Sequence, residues 1–294
     1  MIPFVNRHWR RWFAAAAACL TLASPLGAQD PPEWSRPTEP FRIVGNVYWV
    51  GTYDLSSYLI TSPEGHIVIN TGLRDSIAQI RANIEALGFR ISDVKILTAT
   101  HAHWDHVAGL AGLKKLTGAR VYLSAPDADV LESGGKSDFR WGKDPQAWFD
   151  GVAVDRRLAD GETITLGPNV LTIHLHAGHS KGASSFTFTV RDGEKDYRVG
   201  IVNMGSINPG VRVSGMPAFP DIGDAYARTF AAQKAMVLDV FLASHASQFG
   251  MHRKRRPGDA YDPDRFVDPR GFRAAVDELE AAFKKQLATE RRQP

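Results

Sequence analysis

Four side chains able to hold a metal fall within six residues of this sequence, His101-Ala102-His103-Trp104-Asp105-His106. Imidazole nitrogens and a carboxylate in this pattern suit zinc. In extended chain, side chains two apart point the same way, about 6–7 Å apart along the backbone, so His101 and His103 can converge on one ion. Once the chain bends into a helix, Asp105 and His106 turn away from that pair towards a second position nearby. One strand end can therefore feed two neighbouring metals. A lone buried histidine is more often a hydrogen-bonded core residue than a ligand; three histidines and an aspartate at this spacing ask for a metal.

A catalytic zinc needs three protein ligands and an open position, so each pair wants a further partner. His179 lies in the glycine-flanked turn Ala177-Gly178-His179-Ser180-Lys181-Gly182, which lifts its side chain clear of a strand edge. His245 ends the apolar run Val240-Phe241-Leu242-Ala243-Ser244. Both are good third ligands. His174 and His176 alternate with Ile173 and Leu175, and read as packed groups or as hydrogen-bond partners of ligands. His252, beside Arg253-Lys254-Arg255-Arg256, reads as part of a solvated charged loop.

The elements that must position these groups follow from periodicity. Residues 94–100 are apolar and β-branched enough for a buried strand, and 107–116 carry apolar residues at helical spacing, so the motif sits at a strand-to-helix turn. Upstream, 29–40 read as a loose lead-in. Three short strands at 47–50, 57–60 and 66–70 form a meander, and an amphipathic helix over 76–87 stops at Gly88. A strand at 119–123 closes a first half. Residues 132–151, with Trp141, Trp148 and Phe149, have no clean period; they could roof a pocket or anchor a loop to the core. The second half repeats the pattern: strands at 163–166 and 170–175, a hairpin of 184–191 with 196–203 around Asp192-Gly193, a helix over 222–236 and a strand at 240–244. A long amphipathic helix over 271–288 covers the outside. Two such halves predict an α/β fold, a four-layer αββα sandwich with two mixed sheets face to face and helices outside.

The chain of 294 residues, 44% hydrophobic, can bury a large core. Its start reads as an export signal over 1–28: Arg7, Arg10 and Arg11, then an apolar run, then Leu26-Gly27-Ala28 before Gln29. Residues 29–294 are expected to be one domain, periplasmic after export, with no stable membrane association. Arg10-Arg11-Trp12-Phe13 also resembles a twin-arginine motif, with Trp9 where Ser or Thr is usual. Removing the signal leaves 32 basic and 32 acidic residues, so nucleic acid is not an expected partner. Cys19, the only cysteine, lies within the signal, which leaves no disulfide, thiolate ligand or cysteine nucleophile. A lipid anchor there is the minor reading, because Ala16-Ala17-Ala18 departs from a leucine-led lipobox.

Taken together, His101/His103/Asp105/His106, His179 in its glycine turn and His245 at a strand end resemble the metallo-β-lactamase superfamily of zinc hydrolases. Three stretches resemble subclass B3 β-lactamases: Glu132-Ser133-Gly134-Gly135-Lys136-Ser137-Asp138-Phe139, His176-Ala177-Gly178-His179-Ser180-Lys181-Gly182, and Ser244-His245-Ala246-Ser247. The resemblance implies two Zn2+ per chain, one on His101, His103 and His179 and one on Asp105, His106 and His245. It implies hydrolysis of the β-lactam amide bond of penicillins, cephalosporins and carbapenems; the expected partner is the small-molecule substrate alone, with the chain a monomer. Zinc ions that share a water supply hydroxide near neutral pH without a separate general base. Asp105 orients it, and Ser206, with Asn208 as a helper, holds the substrate carboxylate. Ser180 stands where threonine is common, and Phe186 where tryptophan is. Thioesterases and many lactonases of the superfamily place a bridging aspartate where this chain runs Gly200-Ile201-Val202-Asn203-Met204-Gly205-Ser206, without a carboxylate. The rivals are a lactonase or thioesterase of the same superfamily, and a periplasmic zinc-binding protein without catalysis.

Overall fold

The computed structural model describes residues 30–292, so the expected signal over 1–28, with Cys19, lies outside the described residues. After a short helix α1 (Pro32–Ser35), seven strands form one sheet in chain order: β1 (Phe41–Val44), β2 (Val47–Trp49), β3 (Tyr58–Ile60), β4 (His66–Ile69), β5 (Val94–Thr98), β6 (Arg120–Ser124) and β7 (Arg156–Leu158). The first four pair antiparallel and the last three join in parallel. The change of sense follows from the connections, since tight turns reverse a chain and parallel neighbours need a crossover. The crossovers are α2 (Ser76–Ala86), then α3 (Trp104–Val107) with α4 (Leu110–Thr117), then α5 (Ala125–Glu132) with the loop after it.

The second sheet has the order β12-β11-β10-β9-β8, built from β8 (Thr163–Leu166), β9 (Asn169–Leu175), β10 (Ser184–Asp192), β11 (Lys195–Val202) and β12 (Val240–Ala243). Only β12 runs parallel to its neighbour, after the crossover α6 (Ile222–Ala235). Then follow α7 (Met251–Lys254) and α8 (Pro269–Glu290).

Period-two alternation sorts the first sheet's side chains into two cores. Tyr58, Ile60, Ile67 and Ile69 join Ile173, Phe186, Val199 and Ile201 of the second sheet. Leu59, Val68 and Leu97 point the other way, against Ile80 and Ile84 of α2 and Leu110 and Leu113 of α4. On the far side, Tyr226 and Phe230 of α6 pack on Phe283 of α8 with ring centroids 5.5 and 5.7 Å apart. The layers are therefore helix, sheet, sheet, helix, as predicted. Among the described residues, no helix is long and apolar enough to cross a membrane.

Several expectations need correction. The lead-in is not loose: Thr52 Oγ1 donates to Trp34 O at 2.8 Å, Tyr53 N to Arg36 O at 2.8 Å and Asp54 N to Glu33 O at 3.2 Å. The single helix expected over 107–116 is two, because Gly109 N donates outward to Gly72 O at 3.2 Å. The C-terminal helix starts two residues early, where Asp268 accepts from Gly271 N at 2.8 Å and a proline occupies the first turn. Strands β1 and β7 and helix α5 were not expected; they are short, with no clean period.

Phe186 is fully buried between Ile173 and Ile201 in the middle of the second sheet. Phe186→Ala should destabilise the domain by roughly 3–5 kcal/mol. Urea unfolding should then show a lower midpoint with an unchanged m-value.

Candidate metal centre

The motif leaves β5 on a tethered backbone. Asn70, the one non-glycine described residue with positive φ (62°), accepts from Thr100 N at 2.8 Å and Thr100 Oγ1 at 3.2 Å. His103 is still extended (φ −86°, ψ 153°), and its carbonyl accepts from His106 N and Val107 N as α3 begins at Trp104. The chain thus turns between the two halves of the motif, where the spacing placed the bend. On the second sheet, Gly178 (φ 138°) precedes His179 where a Cβ would come within 2.8 Å of the Tyr226 ring, so only glycine lets the turn close.

The rings of His101, His103 and His179 lie with centroids 4.6 to 4.9 Å apart, and each offers a ligand atom within 4.8 Å of the others. His101, Asp105 and His106 form a second such group. His245 abuts it, its Nε2 3.4 Å from Asp105 Oδ2 and its ring 4.9 Å from that of His106. All six residues expected as ligands are therefore brought to one place. His174 and His176 are not; they bond Thr187 and Ser185 at 2.6 Å on the other side of the second sheet. His252 is not solvated as expected. It stacks on Tyr53 at 3.7 Å and its Nε2 lies 2.8 Å from Tyr53 O.

The residues fit a cation. His101 Nε2 and His106 Nδ1 are buried with no hydrogen-bond partner, a costly state unless something else takes the lone pair. Burial, then the neighbouring imidazoles of His106, His103 and His179, holds His101 well below the usual histidine range, and neutral imidazole is the form that ligates. Burial would also lower His245, but the carboxylates of Asp105 and Asp54 outweigh it and raise it to about 9. The site therefore favours positive charge at a place where most of its histidines stay neutral.

Outer contacts decide which nitrogen each ring offers. His179 Nδ1 donates to Ser206 O at 2.9 Å, and His245 Nδ1 faces Asp54 Oδ2 at 3.0 Å; both leave Nε2 free. His103 Nε2 lies 3.5 Å from Asp138 Oδ2, which leaves Nδ1. A fourth carboxylate, Asp127 on α5, is fully buried and touches no ligand. Its Oδ2 accepts from Ala102 N at 2.9 Å and Ser180 Oγ at 2.7 Å, its Oδ1 from Gly182 N at 2.7 Å. It thereby joins the loop of His101 and His103 to the loop of His179. Sequence reasoning singled out neither Asp54 nor Asp127. Their partners lie 191 and 53 residues away, with no local spacing to betray them. Asp138 stood in a quoted stretch without a role.

A cavity of about 290 Å³ opens over the histidines, walled by Trp34, Trp104 and Trp141, with Ser206 and Asn208 on its rim. Trp34 packs 5.6 Å from the His245 ring, and Trp104 meets Trp141 edge-on at 5.3 Å. Asn208 Nδ2 donates to His179 O at 3.3 Å. The aromatics of 132–151 divide between the two roles weighed for them: Trp141 walls the cavity, whereas Phe149 is buried in the core.

Asp127→Asn sets an NH2 against a donor that the carboxylate now satisfies. Zinc affinity, measured by competition with a chromophoric chelator, should fall roughly 10–100-fold. Asp129→Asn, on the exposed side of the same helix, should leave it unchanged.

The family model of the Metallo-beta-lactamase superfamily matches residues 50–189. A solved beta-lactamase from Chitinophaga pinensis is 43% identical, with a TM-score of 0.87 over 89% of this chain and 98% of that one. The class B3 di-zinc metallo-beta-lactamase LRA-12 from an Alaskan soil metagenome is also 43% identical, with a TM-score of 0.86 over 89% and 98%. Among curated proteins, a hydroxyacylglutathione hydrolase from Jannaschia sp. (strain CCS1) is 31% identical over 111 residues, 38% of this chain and 34% of that protein. The chain thus spans about a third of the length of that curated relative. Likeness that runs through both sheets, and is not confined to the histidine motif, makes this chain a hydrolase of the metallo-β-lactamase superfamily.

Proposed function

We propose that the chain is a subclass B3 β-lactamase that opens the β-lactam amide of penicillins, cephalosporins and carbapenems with two zinc ions, in the periplasm. The observation that carries this reading is near full-length likeness to solved β-lactamases, one of them a class B3 enzyme. His101, His103 and His179 would hold one ion, and Asp105, His106 and His245 the other. Zinc, when bound, supplies Lewis acidity and a hydroxide nucleophile at neutral pH. The reaction consumes one water, breaks the ring C–N bond and leaves a second carboxylate on the product.

The chain's own residues bind and orient. Burial would raise Asp105, but His106 and His245 hold it well below the usual carboxylate range, so it stays an anionic acceptor able to orient the nucleophile. Ser206 Oγ–H and Asn208 Nδ2 would donate to the substrate carboxylate from the cavity rim. The Ser206 carbonyl is already fixed by His179 Nδ1 and Tyr226 OH, each at 2.9 Å. Trp34, Trp104 and Trp141 exclude water and present flat apolar faces to a bicyclic ring.

The likeness to hydroxyacylglutathione hydrolases favours a second reading, a thioesterase. Against it, residues 200–206 carry Asn203 and no carboxylate. The purified chain should open a penicillin, a cephalosporin and a carbapenem, lose that activity to a chelator and regain it with zinc. Zinc-dependent cleavage of a glutathione thioester with all three drugs intact would overturn the β-lactamase reading. Asp105→Ala should lower kcat roughly 10²–10³-fold. Trp34→Ala should raise KM by roughly 3–10-fold at nearly unchanged kcat, the signature of lost uniform binding.

A further inference from the structure

We propose that Asn203 sets His101 for metal: its amide oxygen accepts the Nδ1–H of His101, so that Nε2 carries the lone pair offered to the ion. The proposal rests on His101 being a ligand, as read above. Asn203 directly follows β11 and is 1% exposed. Its main chain is pinned on both sides, N donating to Ser185 Oγ at 3.0 Å and O accepting from Gln233 Nε2 at 2.7 Å. The side-chain amide therefore has little freedom beyond rotation about its own last bond.

As placed, Nδ2 of Asn203 lies 2.8 Å from His101 Nδ1. An amide nitrogen only donates, so His101 Nδ1 would have to accept, and the ring proton would sit on Nε2, where the ion must bind. In the same arrangement Asn203 Oδ1 and His101 Nε2 are both buried without a partner. Turning the amide by 180° exchanges oxygen and nitrogen, gives Nδ1–H an acceptor and frees Nε2. The NH2 then takes the buried place that the oxygen leaves. One unpartnered amide atom replaces another, so the ring and its ion decide the orientation. Two other histidines of the site already meet an acceptor in this way, through Nδ1: His179 with the Ser206 carbonyl and His245 with Asp54. Thr100 Oγ1 stands farther from His101 Nδ1, at 3.3 Å, and is engaged by Asn70 and Ser244. Asn203 is thus a positioning residue that acts through the tautomer of His101, and the only neutral side chain among these acceptors.

The test joins zinc affinity to a direct view of the proton. In the zinc-loaded protein, nitrogen-15 NMR should find the His101 ring protonated on Nδ1. Asn203→Leu, which offers no acceptor, should weaken zinc binding roughly 10–100-fold, and Asn203→Asp, which keeps one, should restore it. Zinc affinity unchanged in Asn203→Leu, or a proton on Nε2 of His101, would overturn the proposal while leaving the metal centre standing. If Asn203→Leu does not fold, the ring proton decides alone. No zinc uptake by the unmodified chain would overturn both readings.

Discussion

The buried carboxylate of Asp127 is the interaction on which the arrangement depends. A candidate metal centre shared between two sheets needs the loops at their ends held in register to a fraction of an ångström, and apolar packing alone is too forgiving for that. Asp127 supplies three charge-assisted hydrogen bonds across the joint, to Ala102, Ser180 and Gly182. The glycine turn around His179 is fastened at both ends, by Tyr226 against Gly178 and by Asp127 at Gly182. Ser180 needs only its hydroxyl for this.

Crowding five imidazoles and a carboxylate is unfavourable in itself, because burial and mutual repulsion both oppose charging the rings. The surroundings answer with acceptors on the outer side: Asp54 behind His245, Asp138 behind His103 and a carbonyl behind His179. Each turns a ring so that its other nitrogen faces inward. The result is three rings held neutral, His101, His106 and His179, beside two that the carboxylates draw towards positive charge, His103 and His245, a site suited to a cation.

The layered fold and six inner residues were legible in the sequence because both are written in short-range patterns. Alternation marked the strands around Ile67 and Ile173, helical spacing marked Ile80 and Ile84, and the six-residue motif announced itself. His179 and His245 could be placed because each follows a strand. What could not be read has a common physical cause. Asp54, Asp127 and Trp34 act across the fold on partners with no fixed sequence spacing, and an aspartate or tryptophan in a polar stretch looks like any surface residue until the chain closes. The lead-in misled for the same reason, since proline and polar residues mark loops whether or not those loops are bonded down. His252 misled because its basic neighbours hid the ring of Tyr53.

The order of the strands carries a consequence for how the domain holds together. The residues that frame the centre come from the meander, from the end of β5, from the turn before β10 and from the end of β12, and β12 reaches its place only after the α6 crossover. They are spread from Asp54 to His245, and neither sheet holds them all. An ion held there is therefore linked to the global unfolding equilibrium and not to a local one. Whatever free energy its binding supplies is felt equally by strands far from it, and the folded and metal-loaded populations rise and fall together.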